Sequence, residues 1–145
     1  MDKYALQFRV KWSEVDANMH LRHSVYLDYT DHVRINFFDA TGVSVLSFRK
    51  RQVGPVLFGM TSNFSREVLL NELVTVNLKM SKLSNDMRKW QISHEVFKEN
   101  GELAATVVAH GAWLDLAKRK VIVPPEDILE AVQLMEKSDD FSIDG

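Results

Sequence analysis

The chain has 145 residues, no cysteine and a formal net charge of −2. This length suits one domain with its own hydrophobic core, and the lack of cysteine excludes disulfides, thiolate metal sites and cysteine nucleophiles. A general nucleic-acid binder would usually be strongly basic, and this chain is not. The sequence contains neither the apolar core of a signal peptide nor an apolar run long enough for a bilayer, so we expect a cytoplasmic protein without membrane insertion.

The first two elements are predicted to be a strand and a long helix. Apolar and polar residues alternate over residues 4–12, which is the period of a strand with one buried face. Over residues 26–40 the apolar residues recur every three or four positions, which indicates a helix. Ser24 is the expected N-cap of this helix, and Gly42 is the expected residue that stops it.

The middle of the chain is predicted to be mostly strand. An irregular stretch is expected over residues 43–54, and four strands are expected after it, at residues 56–64, 74–81, 90–96 and 103–115. The last of these strands is apolar on both faces, so it should lie in the middle of the sheet.

The end of the chain is predicted to be a short helix and a tail. Pro124-Pro125 should end the sheet, with an amphipathic helix from Pro125 or Glu126 through Met135. Residues 137–145 are expected to be frayed, so the predicted domain is 1–136. The order of elements predicts an α+β fold in which the long helix lies across one face of a single antiparallel sheet. The bare edges of that sheet favour pairing with a second copy.

The segment before the long helix concentrates polar groups at a helix N-terminus: Asp16, Asn18 and His20. Free N–H groups of the first helical turn and the positive end of the helix dipole can stabilise the oxyanion formed from a thioester carbonyl. Asp16 can then serve as general base or nucleophile, Asn18 can position water or the carbonyl, and His20 can orient a partner or carry a proton. Asp and Asn before a helix are also common caps, so the spacing alone leaves a structural role open.

The run Trp12-x-x-x-Asp16-x-Asn18-x-His20-x-x-x-x-x-Tyr26 resembles the signature of the hotdog-fold thioesterases. These are the 4-hydroxybenzoyl-CoA thioesterase family and the related acyl-ACP thioesterases. The resemblance implies a sheet of about five strands wrapped around the long helix, and a homodimer or homotetramer with sites at the dimer interface. It implies an acyl-CoA or acyl-ACP substrate, a catalytic acid at Asp16, and the motif amide and imidazole at Asn18 and His20.

The resemblance extends over roughly residues 5–130 through weaker pieces: Phe64-x-Arg66-Glu67-Val68, Asn71-Glu72, the Asn100-Gly101 hairpin, Trp113-Leu114-Asp115 and Val123-Pro124. The chain departs from the family at Arg22-His23, where relatives often have two asparagines. These positions lead into the oxyanion-binding turn, so a protein that binds acyl-CoA without hydrolysing it stays open as an alternative.

Substrate contacts are expected from the start of the long helix and from a basic cluster after it that can pair with the phosphates of CoA: His23, Ser24, Tyr26, Arg49, Lys50 and Arg51. A second basic run, Lys118-Arg119-Lys120, has the same potential. The commoner role of such runs is a solvated loop.

Neither a metal nor another cofactor is expected. Asp16, His20 and His23 match no strong ligand spacing, and nucleotide-binding and serine-hydrolase motifs are absent from the sequence. A hotdog hydratase or dehydratase is a second enzymatic possibility, but the usual His-Phe-Pro-Gly sequence of that class is also absent. The predicted activity is therefore hydrolysis of an acyl thioester to a free acid and a thiol.

Overall fold

In the computed structural model, which describes residues 2–144, one long helix lies against an eight-stranded and mainly antiparallel sheet. The strands are β1 (Leu6–Arg9), β2 (Val53–Phe64), β3 (Leu73–Val76), β4 (Lys79–Ser84), β5 (Lys89–Phe97), β6 (Leu103–Asp115), β7 (Lys120–Val121) and β8 (Lys137–Asp144). The helices are α1 (His23–Ala40), α2 (Val45–Arg51) and α3 (Glu126–Leu134), and a single 3-10 turn covers Trp12–Glu14.

β5 lies inside the sheet, with β6 on one side and both β3 and β4 on the other. β1 pairs with β3 and β8 pairs with β4, so these two strands share one edge of the sheet. At the opposite edge, β2 pairs along its length with β6. Within the described residues β2 has no other partner strand, so its outer backbone edge is open.

The core lies between α1 and the sheet. The buried residues of α1 recur at helical spacing on one side of the helix: Val25, Tyr26, Tyr29, Thr30, Val33, Phe37 and Phe38. They pack in one cluster with buried residues of the strands, among them Val74, Val96 and Val107. Full burial of each such side chain contributes roughly 1.5–3 kcal/mol relative to leaving it exposed. The predicted hotdog arrangement, a sheet around one long helix with a short C-terminal helix, is confirmed.

The start of α1 differs from the prediction. Ser24 lies inside the helix, and the N-cap position is Arg22, which makes no side-chain cap. The Arg22 N–H donates to the Glu14 carbonyl at 2.8 Å, which holds Arg22 in an extended conformation and lets the helix begin at the next residue. At the other end the prediction is confirmed, because Gly42 has φ +91° just after the helix ends.

Two stretches in the middle of the chain differ from the prediction. One was expected to be irregular and contains a helix, and the other was expected to be one strand and is divided in two. Residues 43–54 contain α2, whose N-cap Ser44 accepts from the Ser47 N–H at 3.2 Å. The predicted strand 74–81 is divided into β3 and β4 at Asn77. The buried Asn77 side chain accepts from the Glu95 N–H at 2.6 Å and so replaces regular ladder pairing.

Residues 137–144 of the predicted tail form a strand, so the expectation that they are frayed is wrong, and Gly145 lies outside the described residues. Residues 137–144 form β8, which runs parallel to β4, and the Asn85 N–H donates to the Asp144 carbonyl at 2.6 Å. The half-buried Phe141 packs against the core. Ser and Asp have low strand propensity, so the local sequence does not indicate this strand. It forms because the open backbone edge of β4 offers hydrogen-bond partners.

Candidate active site

The loop that carries Asp16 is tightly closed. Val15 and Leu21 form an antiparallel bridge at its base. Inside the loop the Asp16 N–H donates to the His20 carbonyl at 2.8 Å, and the Met19 N–H donates to the Asp16 carbonyl at 3.0 Å. Met19 has φ +63°, the left-handed conformation that lets the chain turn here. The backbone of Asp16 is therefore held in place before α1 begins.

The Asp16 carboxylate is exposed and accepts two backbone hydrogen bonds. Its Oδ1 atom accepts from the N–H of Asn18 at 2.8 Å and from the N–H of His20 at 3.2 Å. The hydrogen bond from Asn18, with a smaller contribution from that of His20, lowers the pKa of Asp16 below its ordinary value. Both hydrogen bonds use Oδ1, so among the described contacts Oδ2 stays available. This carboxylate is ionised at neutral pH, as a general base or nucleophile must be.

Asp16 lines an open groove of about 360 Å³ at the N-terminus of α1. The other lining residues come from the Asp16 loop, from the start of α1 and from the end of β2 with the loop after it: His20, Leu21, His23, Tyr26, Phe64, Ser65, Arg66 and Glu67. The groove therefore places two carboxylates, two imidazoles and a phenol around one helix tip.

The first N–H groups of α1 are free at this tip. The Val25 N–H donates to the Arg22 carbonyl at 2.9 Å. The N–H groups of His23 and Ser24 have no acceptor among residues 2–144, as the geometry of a helix start requires. Together with the helix dipole they form a site that favours negative charge on a ligand.

Two of the site residues predicted around the helix start do not reach the groove. The Asn18 side chain is exposed and outside the groove, and Asn18 supports Asp16 through its backbone N–H instead. Ser24 also lies outside the groove, and its hydroxyl accepts from Arg22 Nε at 3.0 Å. The structure therefore brings together Asp16, His20, His23 and Tyr26 of the residues predicted around the helix start.

Arg22, one of the two departures from the family pattern, braces the loop. Its Nη1 donates to the Ser13 carbonyl at 3.0 Å, and its Nε donates to the Ser24 hydroxyl. Both contacts tie the segment before Asp16 to the first turn of α1. The guanidinium is thus engaged in local structure and does not line the groove.

The basic cluster Arg49, Lys50 and Arg51 is remote from the groove within one chain. It occupies the last turn of α2, directly before β2 begins, whereas the groove lies where β2 ends. Twelve strand residues separate the two ends, and strands rise about 3.3 Å per residue, so the span is roughly 36 Å along the strand. Arg51 also pairs with Asp127, Nη1 to Oδ1 at 2.9 Å.

Five groove residues were not among the predicted site residues: Leu21, Phe64, Ser65, Arg66 and Glu67. The sequence marked the segment that begins at Phe64 by its resemblance to the family. No local sequence pattern predicted that this segment meets the start of α1. Arg66 is fixed by an ion pair from its Nε to Glu102 Oε2 at 2.9 Å. The Glu67 carboxylate adds a second negative charge to the groove.

A separate apolar cavity of about 380 Å³ lies beside the C-terminal half of α1. Apolar side chains dominate its lining, the aromatic ones being Phe38, Trp90 and Trp113, and Asp31 and Arg34 supply charged groups. Arg34 lies eleven residues after His23, which corresponds to about 16 Å along the helix. The cavity shares no lining residue with the groove.

The described part of the chain contains no helix with the length and apolar character needed to cross a bilayer. Over the same residues, no three His, Asp or Glu side chains cluster closely enough to hold a metal ion.

Comparison with known proteins identifies the family. A family model described as the thioesterase-like superfamily matches residues 10–132. Among solved structures, the fold is similar to that of the hypothetical protein TT1821 from Thermus thermophilus, with TM-score 0.81, 23% identity, and 91% of this chain and 98% of that chain covered.

Two Staphylococcus aureus structures are also similar. One is the hypothetical protein SAV2348 in complex with CoA, with TM-score 0.81, 18% identity, and 93% of this chain and 87% of that chain covered. The other is a DHNA-CoA thioesterase, with TM-score 0.80, 20% identity, and coverage of 89% and 87%. At such identities the structural likeness shows a shared fold. Because the family model spans most of the sequence, the chain belongs to the thioesterase-like superfamily.

Proposed function

We propose that this protein hydrolyses an acyl thioester of coenzyme A to a free acid and a thiol, with Asp16 as the catalytic carboxylate. One observation carries the proposal. The Asp16 carboxylate, ionised and held by two backbone N–H groups, lines an open groove together with His23, whose N–H is free at the tip of α1. Membership of the thioesterase-like superfamily supports it, as do related structures whose names specify CoA.

The proposed mechanism uses these groups in sequence. The thioester carbonyl oxygen accepts hydrogen bonds from the free N–H groups of α1, and Asp16 takes a proton from a water molecule in the groove. The water oxygen then bonds to the carbonyl carbon, and the resulting oxyanion is held by the helix N–H groups. When the intermediate collapses the C–S bond breaks, and the departing thiolate receives the proton from Asp16. His20 and His23 line the groove, where they orient water and substrate.

We further propose that the working unit is a homodimer paired through β2. The open edge of β2 is twelve residues long and exposes Phe58 by 54% and Phe64 by 53%. A long apolar edge strand left open is an aggregation hazard, and native proteins cover such edges. Two copies related by a two-fold axis can pair their β2 strands antiparallel, which places the start of one strand beside the end of the other. The basic cluster of residues 49–51 in one copy would then approach the groove of the second and meet the phosphates of CoA.

A thiol-release assay tests the proposed activity. The purified protein is incubated with short, long and aromatic acyl-CoA thioesters, and free thiol is measured with a thiol-reactive dye. Asp16→Asn should lower kcat by at least about 10²-fold, the usual contribution of a positioned general base. Its melting temperature should stay unchanged, because the Asn side-chain oxygen can still accept from the two N–H groups. Asp28→Asn is the matched control, since Asp28 is an exposed carboxylate on α1 and lies outside the groove.

Three results would overturn the proposal in different ways. Wild-type turnover by Asp16→Asn would remove Asp16 from the mechanism. Loss of the conjugated chromophore of an enoyl-CoA without thiol release would identify a hydratase. Thermal stabilisation by acyl-CoA without turnover of any thioester would identify a binding protein.

A further inference from the structure

We propose that the hydroxyl group of Tyr26 is a catalytic hydrogen-bond donor to the thioester carbonyl oxygen. The inference rests on the proposed function and adds a side-chain donor to the backbone N–H groups at the tip of α1. It is carried by the burial of Tyr26, by its place in the groove, and by its contrast with Tyr29.

Tyr26 and Tyr29 lie one turn apart on α1 and have similar burial. Their exposed fractions are 3% and 5%. The Tyr29 hydroxyl donates to Glu14 Oε1 at 2.8 Å, so its polar group is used in holding the loop before the helix. The Tyr26 hydroxyl has no hydrogen-bond partner anywhere in the part of the chain that the structure describes. The hydroxyl of Tyr29 thus has a structural role, whereas the hydroxyl of Tyr26 has no role in holding the fold.

The Tyr26 hydroxyl faces the groove. Within residues 2–144, Trp90 Nε1 is the one side-chain polar atom that is both sealed from solvent and without a partner. The Tyr26 hydroxyl also lacks a partner, so it is in contact with solvent, and the solvent-filled space that Tyr26 lines is the groove beside Asp16. Buried tyrosine hydroxyls usually have a partner. Here that partner must be water or a ligand in the groove.

The environment of Tyr26 keeps its proton in place. Burial, followed by the negative charges of Glu72, Asp16 and Glu67, raises the pKa of Tyr26 to about 12. At neutral pH the phenol therefore donates a hydrogen bond and is not a base. A neutral donor also suits a groove with two carboxylates, because it attracts the developing oxyanion without forming an ion pair with Asp16.

The Tyr26 ring is held rigidly. It packs edge to face against Phe64, with ring centroids 5.1 Å apart and an interplanar angle of 67°. Phe64 lies at the end of β2, so α1 and the sheet position the hydroxyl together. A donor fixed before the substrate arrives needs no reorganisation as charge develops on the carbonyl oxygen.

In the hydrolytic step Tyr26 donates a hydrogen bond and transfers no proton. The bond between the water oxygen and the carbonyl carbon forms, and the π electrons of the carbonyl move to its oxygen. That oxygen accepts hydrogen bonds from the Tyr26 hydroxyl and from the helix N–H groups. The C–S bond then breaks, and the proton that Asp16 took from water passes to the thiolate.

Tyr26→Phe tests the role because it removes the hydroxyl and keeps the ring against Phe64. We expect kcat for an acyl-CoA to fall about 10²- to 10³-fold, the usual effect of losing one oxyanion donor, with little change in KM. Tyr29→Phe is the matched control. It should keep kcat but lower the melting temperature, because Glu14 loses its hydrogen-bond donor.

A second measurement separates catalysis from binding. An S-alkyl-CoA thioether lacks the thioester carbonyl oxygen, so calorimetry should give the same Kd for wild type and Tyr26→Phe. A Kd that rises as much as kcat falls would assign Tyr26 to general binding and overturn the inference. If the wild type hydrolyses acyl-CoA and Tyr26→Phe keeps its kcat, this inference alone fails. If the wild type hydrolyses no thioester, the proposed function fails and this inference fails with it.

Discussion

Arg34 on α1 donates a hydrogen bond from Nη1 to Nε2 of His94 on β5, with 3.0 Å between the two atoms. A guanidinium can only donate, so Nε2 is the acceptor and the ring proton lies on Nδ1, which donates to the Asn77 carbonyl at 2.7 Å. His94 is fully buried, and burial followed by the charge of Arg34 lowers its pKa to about 3. The core beneath α1 therefore contains a neutral imidazole that joins the helix to the sheet.

This contact predicts that acid destabilises the fold through His94. In the unfolded chain its pKa is near 6.5, so below that pH the unfolded state binds a proton that the folded state does not bind until about pH 3. Stability should fall as pH drops through this window, by up to about 1.4 kcal/mol per pH unit. Urea unfolding from pH 7 to pH 4 measures the slope, and His94→Gln should reduce it. His32→Gln, at an exposed position on α1, should leave the slope unchanged, and equal slopes for wild type and His94→Gln would contradict the assignment.

The lowered pKa of Asp16 predicts activity well into the acid range. The carboxylate is the active form, and the N–H groups of Asn18 and His20 keep it ionised below the ordinary carboxyl pKa of 3.8. We expect kcat/KM to stay level as pH falls from 7 to about 5, with no protonation step from this group in that interval. Thiol release should be measured at each pH while circular dichroism confirms folded protein. A kcat/KM that falls within this interval while the protein stays folded would contradict Asp16 as the base.

The proposed general-base role of Asp16 predicts which product contains oxygen from the solvent. In a single turnover in ¹⁸O-water, a base mechanism places the label only in the product acid. A nucleophilic mechanism passes through an anhydride, and attack of water on the Asp16 carbonyl of that anhydride leaves ¹⁸O in the Asp16 carboxylate. Mass spectrometry of the peptide that contains residue 16 detects this label. Label in that peptide after one turnover would show direct attack by Asp16.

The open edge of β2 predicts how the proposed dimer can be broken. Phe58→Lys places a charge on this edge, and the dimer dissociation constant should rise more than about tenfold, since loss of a central interface aromatic costs about 2 kcal/mol or more. Ile143→Lys is the control, because Ile143 is 61% exposed on β8 at the opposite edge. Sedimentation velocity measures both variants. A wild-type monomer at all concentrations, or equal effects of the two variants, would exclude pairing through β2.

Gly111 is so closely packed that we expect no side chain to be tolerated at this position. A Cβ atom there would collide with the Val56 carbonyl oxygen and lie 2.7 Å from Trp90 Cζ2. Gly111→Ala should destabilise the fold by about 1–3 kcal/mol, because backbone and the indole ring must move. Gly54→Ala is the matched control on β2, where the nearest atoms would be at 3.7 and 3.9 Å. Urea unfolding compares the two, and an equal cost at both positions would contradict the packing argument.

The sequence by itself determined the elements whose burial has a regular period. The helical spacing of residues 26–40 predicted α1, and strand periods predicted β1, β2, β5 and β6, because one-sided burial imposes a local repeat on the residues. The run from Trp12 to Tyr26 indicated the family and the place of Asp16 before the helix. The residues of each of these features are neighbours in the chain, so the sequence alone is enough to predict them.

Tertiary structure alone decided which distant groups meet. β8 forms because β4 has an open edge, and the groove is completed by residues 64–67 because β2 ends beside the start of α1. Tyr26 and Tyr29 both belong to the helical repeat of buried residues, so the sequence does not distinguish them. In the structure the Tyr29 hydroxyl donates to Glu14, whereas Tyr26 lines the groove. Such partners are set by hydrogen bonds and packing between segments far apart in sequence, and no local pattern records them.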